Sequence, residues 1–95
     1  MKIHELKIKA EYAYDVMVEN KRFELRKNDR DFQVGDLVKF KVFFDSKHID
    51  DFLFSDTRAI EDNIYKITYI LKDVPEYGLN KDYCILSITR LVETT

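Results

Sequence analysis

Residues 64–72 read IYKITYILK and residues 83–92 read YCILSITRLV. Both stretches are rich in β-branched and aromatic residues, which favour β-strands. Apolar side chains fall on both faces of each stretch, as Ile85 followed by Leu86 shows. Strands that are covered on both sides fit a closed β-barrel whose outer face also takes a helix. These two stretches therefore predict a barrel-like sheet.

Three more strands are predicted upstream, because apolar and polar residues alternate over residues 2–9, 22–27 and 37–44. His4 falls in phase with the apolar residues of the first of these strands. We therefore expect His4 to point inward or at the barrel mouth, semi-buried and hydrogen-bonded. Gly35 lies in a turn before the third strand, where it is available for a positive φ.

One helix is predicted over residues 10–19, where apolar residues recur every three or four positions instead of at every second position. The apolar residues of this segment share one helix face, at Ala10, Ala13, Tyr14 and Met17. Asn20 follows directly, and asparagine tolerates the left-handed conformation that ends many helices. Residues 45–62 have no clean period, and we expect an acidic loop with a short helical turn near residues 49–54.

The predicted elements belong to a single domain spanning residues 1–95. Its class is α+β, mainly β: a small pseudo-closed β-barrel of about five or six strands with one main helix (residues 10–19) and short helical turns. A hydrophobic share of 45% excludes a disordered chain. The single cysteine, Cys84, excludes a disulfide scaffold and a four-cysteine zinc site, and its apolar neighbours predict a buried thiol.

The N-terminal residues lack a long apolar run, and no stretch approaches the roughly 20 apolar residues that span a bilayer. We expect a cytoplasmic protein without a membrane partner. The two histidines lie far apart without ligand spacing, and no calcium-loop or glycine-rich phosphate motif occurs. No catalytic residue, metal ligand or cofactor is therefore predicted.

The formal net charge of −2 hides two opposite patches. Residues 45–63 carry two basic and six acidic side chains, a net charge of −4. Residues 21–30 carry five basic side chains against two acidic ones, a net charge of +3, with the basic residues at Lys21, Arg22, Arg26, Lys27 and Arg30. The small total therefore does not exclude a local anion site, although it argues against a large footprint on a duplex.

The basic segment contains a spaced set of charged residues at Lys21, Glu24 and Arg26. An arginine fork and a carboxylate on one strand face can read a phosphate or a base edge, since glutamate accepts from exocyclic amines. The alternative interpretation is a solvent-exposed strand face with ion pairs worth roughly 0–1 kcal/mol each. Composition alone favours this second interpretation.

The run NKRFELR, residues 20–26, resembles the K-x-x-E-x-R part of the ASCH-domain motif G-x-K-x-x-E-x-R. Residues 26–36, RKNDRDFQVGD, and residues 67–88, which include ILKDVPEYGL, are similar to short ASCH-like bacterial and phage proteins. The resemblance covers residues 1–44 and 64–90. The acidic loop 45–63 departs from it most.

The resemblance implies a PUA-like fold that binds RNA, modified bases or nucleotides in a cleft beside the barrel. It implies that Lys21, Glu24 and Arg26 line that cleft, and exposed Tyr77 is a candidate for stacking on a base. The leading hypothesis is a binding module for RNA or a nucleotide-like ligand. Its candidate ligand-binding residues are Lys21, Glu24, Arg26, Lys27, Arg30, His4 and Tyr77.

Two alternatives remain open. Some relatives that the chain resembles are amidohydrolases acting on N4-acetylcytidine, but they carry a threonine nucleophile where this chain has Glu24, and their later glutamate has no counterpart here. This difference favours a binding module over an enzyme. The other alternative is a protein-interaction module in which the acidic residues of 45–63, interleaved with Phe52 and Phe54, mimic nucleic acid or dock on a basic partner. The oligomeric state is left open.

Overall fold

The computed structural model describes residues 1–44 and 57–92. The elements formed within these ranges include five strands, one eight-residue α-helix and two 3-10 turns. In chain order they are β1 (Ile3–Lys9), α1 (Ala10–Met17), β2 (Phe23–Lys27), β3 (Leu37–Phe43), a 3-10 turn (Ala59–Asp62), β4 (Ile64–Leu71), a 3-10 turn (Pro75–Tyr77) and β5 (Tyr83–Leu91). The strands begin and end within a residue or so of the predicted segments.

The five strands form one sheet in the order β1-β3-β4-β5-β2. β1 pairs with β3 in parallel, and the remaining neighbours pair antiparallel. The sheet curls into a half-barrel whose two edge strands are β1 and β2. The predicted mainly β fold with five strands, one main helix and short helical turns is confirmed.

The core lies on the concave side of the sheet, where every second residue of the strands points inward. Its strand members are Leu6, Ile8, Val38, Phe40, Val42, Tyr65, Ile67, Cys84, Leu86 and Ile88. α1 packs against β1, β3 and the 3-10 turn at 59–62. Each fully buried aliphatic side chain contributes about 1.5–3 kcal/mol, so this alternation is the main reason why the chain folds as it does.

The helix differs from its prediction in which residues it buries. Ala10, Ala13 and Val16 face the core, whereas Tyr14 is exposed. Positions 14 and 16 flank the stripe of Ala10 and Ala13 on opposite sides, so the apolar period alone fits burial of either one. Two alanines let the helix approach the sheet closely, and Val16 fills the space that the larger tyrosine ring does not enter.

The end of the helix also differs from its prediction. α1 ends at Met17 rather than at residue 19, and Glu19 takes the left-handed conformation (φ 65°) in place of Asn20. The backbone N–H groups of Asn20 and Lys21 both donate to Asp15 O, at 2.9 Å each. These two hydrogen bonds reverse the chain and deliver Lys21 to the start of β2.

The prediction that a helix covers the outer face of β4 and β5 is wrong for the part of the chain that the structure describes. α1 lies on the concave side, and Tyr69, Leu71 and Tyr83 are exposed on the outer face. A bulge in β4 between Ile67 and Tyr69 shifts the register there. The helical turn predicted near residues 49–54 lies outside the described residues.

Across residues 1–44 and 57–92, no helix is long and apolar enough to cross a membrane. Gly35 has the positive φ predicted for it, at 98°. The Cys84 thiol is buried as predicted, and burial raises its pKa.

Candidate functional site

The opening of the half-barrel lies between the unpaired edges of β1 and β2. Leu37 N donates to Lys2 O. The backbone N–H and C=O groups of the even-numbered residues of β1 therefore bond to β3, and those of the odd-numbered residues face the opening. Ile88 N donates to Arg22 O, so the backbone N–H and C=O groups of the odd-numbered residues of β2 also face the opening. Backbone N–H and C=O groups of both strands therefore border this gap, which we call the seam.

A cleft of about 620 Å³ lies along the seam. It is bordered by β1, the first turn of α1, β2 and the end of β3. Its lining residues are Lys7, Ile8, Lys9, Tyr12, Lys21, Phe23, Glu24, Leu25, Arg26 and Phe43. The three residues of the predicted motif are therefore brought together in one concave surface.

Glu24 is the buried member of the motif, with only 4% of its surface exposed. Its Oε1 accepts a hydrogen bond from Lys21 Nζ at 2.8 Å, and its Oε2 lies 3.6 Å from Arg26 Nη1. A buried carboxylate is stable only when it is paired and hydrogen-bonded. The interpretation of this strand face as solvent-exposed is therefore wrong for Glu24. The apolar Phe23 and Leu25 point to solvent instead.

Lys21 is held in place by several groups at once. Its Nζ donates to Phe23 O at 2.8 Å as well as to Glu24. The same atom lies 4.8 Å from the ring centroid of Phe23 and 5.6 Å from that of Tyr12, within the range of a cation–π interaction. Because the ammonium has fixed partners, it presents a positive charge at a defined point of the cleft.

Two arginines cross the seam. Arg26 Nη1 donates to Lys7 O at 2.8 Å, and Arg30 Nη1 donates to Glu5 O at 2.8 Å. Both acceptors are odd-numbered carbonyls on the free edge of β1. No backbone hydrogen bonds are found between β1 and β2 in the described residues, and these two guanidinium groups bridge the gap instead. They hold the two walls of the cleft together.

Three partly exposed aromatic side chains line the cleft and were not predicted as site residues: Tyr12, Phe23 and Phe43. Tyr12 lies off the core stripe of α1, and Phe43 is out of phase with the buried residues of β3. The sequence signal for such a site residue is an aromatic side chain that falls outside the buried apolar positions of its helix or strand. Such rings supply flat surfaces on which a planar ligand stacks.

Lys27 and Arg30 lie in a second, smaller depression of about 280 Å³, which we call the basic shelf. Its lining residues are Leu25, Arg26, Lys27, Asp29, Arg30, Phe32 and Tyr83. Leu25 and Arg26 line both the cleft and the shelf. The two depressions therefore adjoin each other along β2.

His4 lies outside the cleft and is buried and hydrogen-bonded, as predicted. Its Nε2 lies 2.8 Å from Asp36 Oδ2, and its ring centroid lies 4.7 Å from that of Phe32. Asp36 also accepts from the backbone N–H groups of Lys2 and Gln33, at 3.1 Å each. The hydrogen bond from His4, with the two from the backbone, lowers the Asp36 pKa from 3.8 to about 2.

The turn around Asp36 borders another depression of about 620 Å³, which includes Met1 and Lys66. No aromatic side chain lines it, and its one carboxylate is already engaged by three donors. Tyr77 lies on the 3-10 turn Pro75–Tyr77, is 84% exposed and lines neither the cleft nor the shelf. The cleft at the seam is therefore the better site for a polar, planar ligand.

The cleft offers cations, aromatic faces and backbone polar groups. Lys21 and Arg26 are partly exposed, and their shared carboxylate is buried behind them. Among the residues that the structure describes, no group of three or more His, Cys, Asp or Glu side chains could hold a metal ion. The arrangement is suited to holding an anionic or electron-rich planar molecule against the seam.

Comparison with known proteins identifies a family for this chain. No curated protein matches the chain. Residues 3–88 match the family described as "Domain of unknown function (DUF3850)". The match covers β1 to β4, α1 and β5 as far as Ile88, including both walls of the cleft. The chain therefore belongs to the DUF3850 family.

Proposed function

We propose that the chain is a cytoplasmic binding module of the ASCH or PUA-like type that holds RNA or a nucleotide-like ligand in the cleft at the seam. The observation that carries this proposal is the buried Glu24, which fixes Lys21 and Arg26 at the wall of an aromatic-lined cleft. Anchored cations beside stacking surfaces are the combination that single-stranded nucleic acids require.

In this proposal Lys21 and Arg26 contact phosphate or a base edge. Glu24 orients both cations, and its Oε2, which lies 3.6 Å from Arg26 Nη1, accepts from a base amine. Tyr12 or Phe23 supplies the stacking surface in place of Tyr77, since both rings line the cleft. His4 serves the fold through Asp36 rather than touching the ligand.

Leu25 adds a donor and an acceptor to the same wall. Because it lies opposite Ile85 and is an odd-numbered residue of β2, its backbone N–H and C=O face the seam. The edge of a nucleobase carries the complementary acceptor and donor. Recognition of a base edge by these backbone groups does not depend on which side chain residue 25 carries.

The test is a titration followed by backbone amide NMR, with the four ribonucleoside monophosphates and short single-stranded RNAs as probes. We expect shifts at residues 20–31 and at residues 7–12, and an affinity that falls as salt rises because phosphate contacts release counterions. Absence of shifts in both segments at low salt would contradict the proposal.

A matched pair of variants makes the test specific to the site. Lys21→Gln removes a cation from the cleft, whereas Lys39→Gln removes one from the exposed side of β3. Weaker binding in the first variant alone supports the cleft, and equal weakening in both indicates nonspecific charge attraction. Incubation with N4-acetylcytidine, followed by assay of acetate release, tests the hydrolase alternative on the same samples.

A further inference from the structure

We infer that the ligand is a strand of at least two linked nucleotides, because the basic shelf forms a second anion subsite beside the cleft. This inference rests on the proposed function and narrows its substrate class. A free nucleoside or a single nucleotide fills the cleft alone. A strand continues across Leu25 and Arg26, which line both depressions.

The first argument is the charge of the shelf. Three cationic side chains, Arg26, Lys27 and Arg30, line it against one carboxylate, Asp29. Among the ion pairs formed by the described residues, Lys27 and Arg30 take part in none. Their positive charges are therefore not neutralised by the fold and are available to a phosphate.

The second argument is that Arg30 is held in position before any ligand arrives. Its Nη1 donates to Glu5 O at 2.8 Å, which anchors one end of the guanidinium to the edge of β1. The other N–H groups of a guanidinium project from the same plane, so an anchored arginine loses little freedom on binding an anion. A surface arginine without such an anchor lacks this advantage.

The third argument is the distance between the two subsites along β2. Phe23 lines the cleft and Lys27 lines the shelf, and both lie on the outward face of β2, four residues apart. At about 3.3 Å per residue, their separation is roughly 13 Å. Two linked nucleotides span this distance. The half-exposed ring of Tyr83 offers a stacking face for the second base.

The experiment compares ligand lengths on the full chain. Probes are AMP, CMP and UMP and the single-stranded hexaribonucleotides of adenylate, cytidylate and uridylate, with Kd measured by calorimetry at two or more salt concentrations. We expect the best hexanucleotide to bind at least about tenfold more tightly than its mononucleotide, because it gains a phosphate contact and a stacked base.

A double variant, Lys27→Gln with Arg30→Gln, removes the shelf cations. We expect it to bind the hexanucleotide about as weakly as the mononucleotide and to lower the slope of log Kd against log salt by about 1.4 for two lost contacts. Because Arg30 also bridges the seam, mononucleotide binding is compared in Lys27→Gln alone, where we expect it to stay within about twofold of the wild type. The matched control is Lys39→Gln with Lys41→Gln on exposed positions of β3. Lys27→Gln alone serves if the Arg30 change disturbs the fold, since among residues 1–44 and 57–92 the Lys27 side chain forms no hydrogen bond or ion pair that the substitution would remove.

The outcomes separate the two proposals. Equal affinity for mononucleotide and hexanucleotide, or equal losses in the shelf and β3 variants, overturns the second subsite but leaves binding in the cleft standing. Absence of binding to every probe overturns the proposed function and the second subsite together. A length preference that disappears only in the shelf variant supports the inference.

Discussion

Asp36 should set the acid stability of this fold, and replacing it with asparagine should make that visible. Its carboxylate accepts three hydrogen bonds, from His4 Nε2 and from the backbone N–H groups of Lys2 and Gln33. An amide in the same place keeps one oxygen and turns an NH₂ group toward donors. Because hydrogen bonds to a charged group contribute about 1.5–3 kcal/mol each, we expect Asp36→Asn to lower the free energy of unfolding at pH 7 by about 2–3 kcal/mol.

The pH dependence follows from the lowered pKa of this carboxyl, which falls from 3.8 to about 2. Between about pH 4 and pH 2 the unfolded chain binds a proton at Asp36 and the folded protein does not. The stabilisation is therefore complete above about pH 4 and is lost as the pH falls toward 2. A full shift of this size corresponds to an upper limit of about 2.5 kcal/mol. Water near the surface turn screens part of it, so we expect about 1–2 kcal/mol.

Urea unfolding of the wild type and Asp36→Asn, followed by circular dichroism from pH 7 to pH 2, measures both effects. The difference between the two proteins should be constant above about pH 5 and should shrink by about 1–2 kcal/mol as the pH falls to 2. Asp62→Asn changes an exposed carboxylate and is the control, for which we expect little difference at any pH. A difference for Asp36→Asn that is absent at neutral pH, or that does not change with pH, would refute the reasoning.

Three further outcomes are expected. Glu24→Gln leaves two cations without their buried carboxylate and should lower the free energy of unfolding by about 2 kcal/mol; urea unfolding that matches the wild type would show that the carboxylate does not anchor them. Val16→Ala should lower the free energy of unfolding by about 1.5–3 kcal/mol, because it removes buried methyl groups. The control Val18→Ala changes an exposed side chain and should alter this free energy by less than about 0.5 kcal/mol. Equal shifts of the melting temperature in the two variants would contradict the assigned helix face. Burial raises the pKa of the Cys84 thiol and shields it from solvent. A disulfide reagent should therefore label the folded protein at least about a hundredfold more slowly than the urea-unfolded chain. Rapid labelling of the folded protein would exclude a buried thiol.

The strands could be predicted from sequence because their buried residues recur at every second position. In β1 and β3, apolar residues such as Leu6 and Val38 alternate with charged ones, so both the element and its inner face follow from the pattern. In β2 the pattern shows which residues share a face but not which face is inside. The apolar Phe23 points outward because the ion pairs of Glu24 occupy the inner position.

The candidate site could be predicted only in part, for a related physical reason. Lys21, Glu24 and Arg26 are close in sequence, so their spacing on one strand already indicates a cluster. Tyr12 and Phe43 come from elements that meet β2 only when the sheet curls, and no local pattern carries that information. The carbonyl acceptors of Arg26 and Arg30 are backbone atoms of β1, which sequence reasoning about side chains does not reach.

The bridged seam has a consequence for how the protein behaves at high concentration. An unpaired strand edge is a template on which another chain adds its own strand, and this half-barrel has two such edges. An incoming strand would first have to displace the charged donors from the carbonyls of Glu5, Lys7 and Phe23. The arginines and the lysine of the cleft thus also protect the sheet from edge-to-edge aggregation. Under the proposed function, the side chains that hold the ligand are also those that protect the edges, so a substitution at Lys21 or Arg26 weakens both properties together.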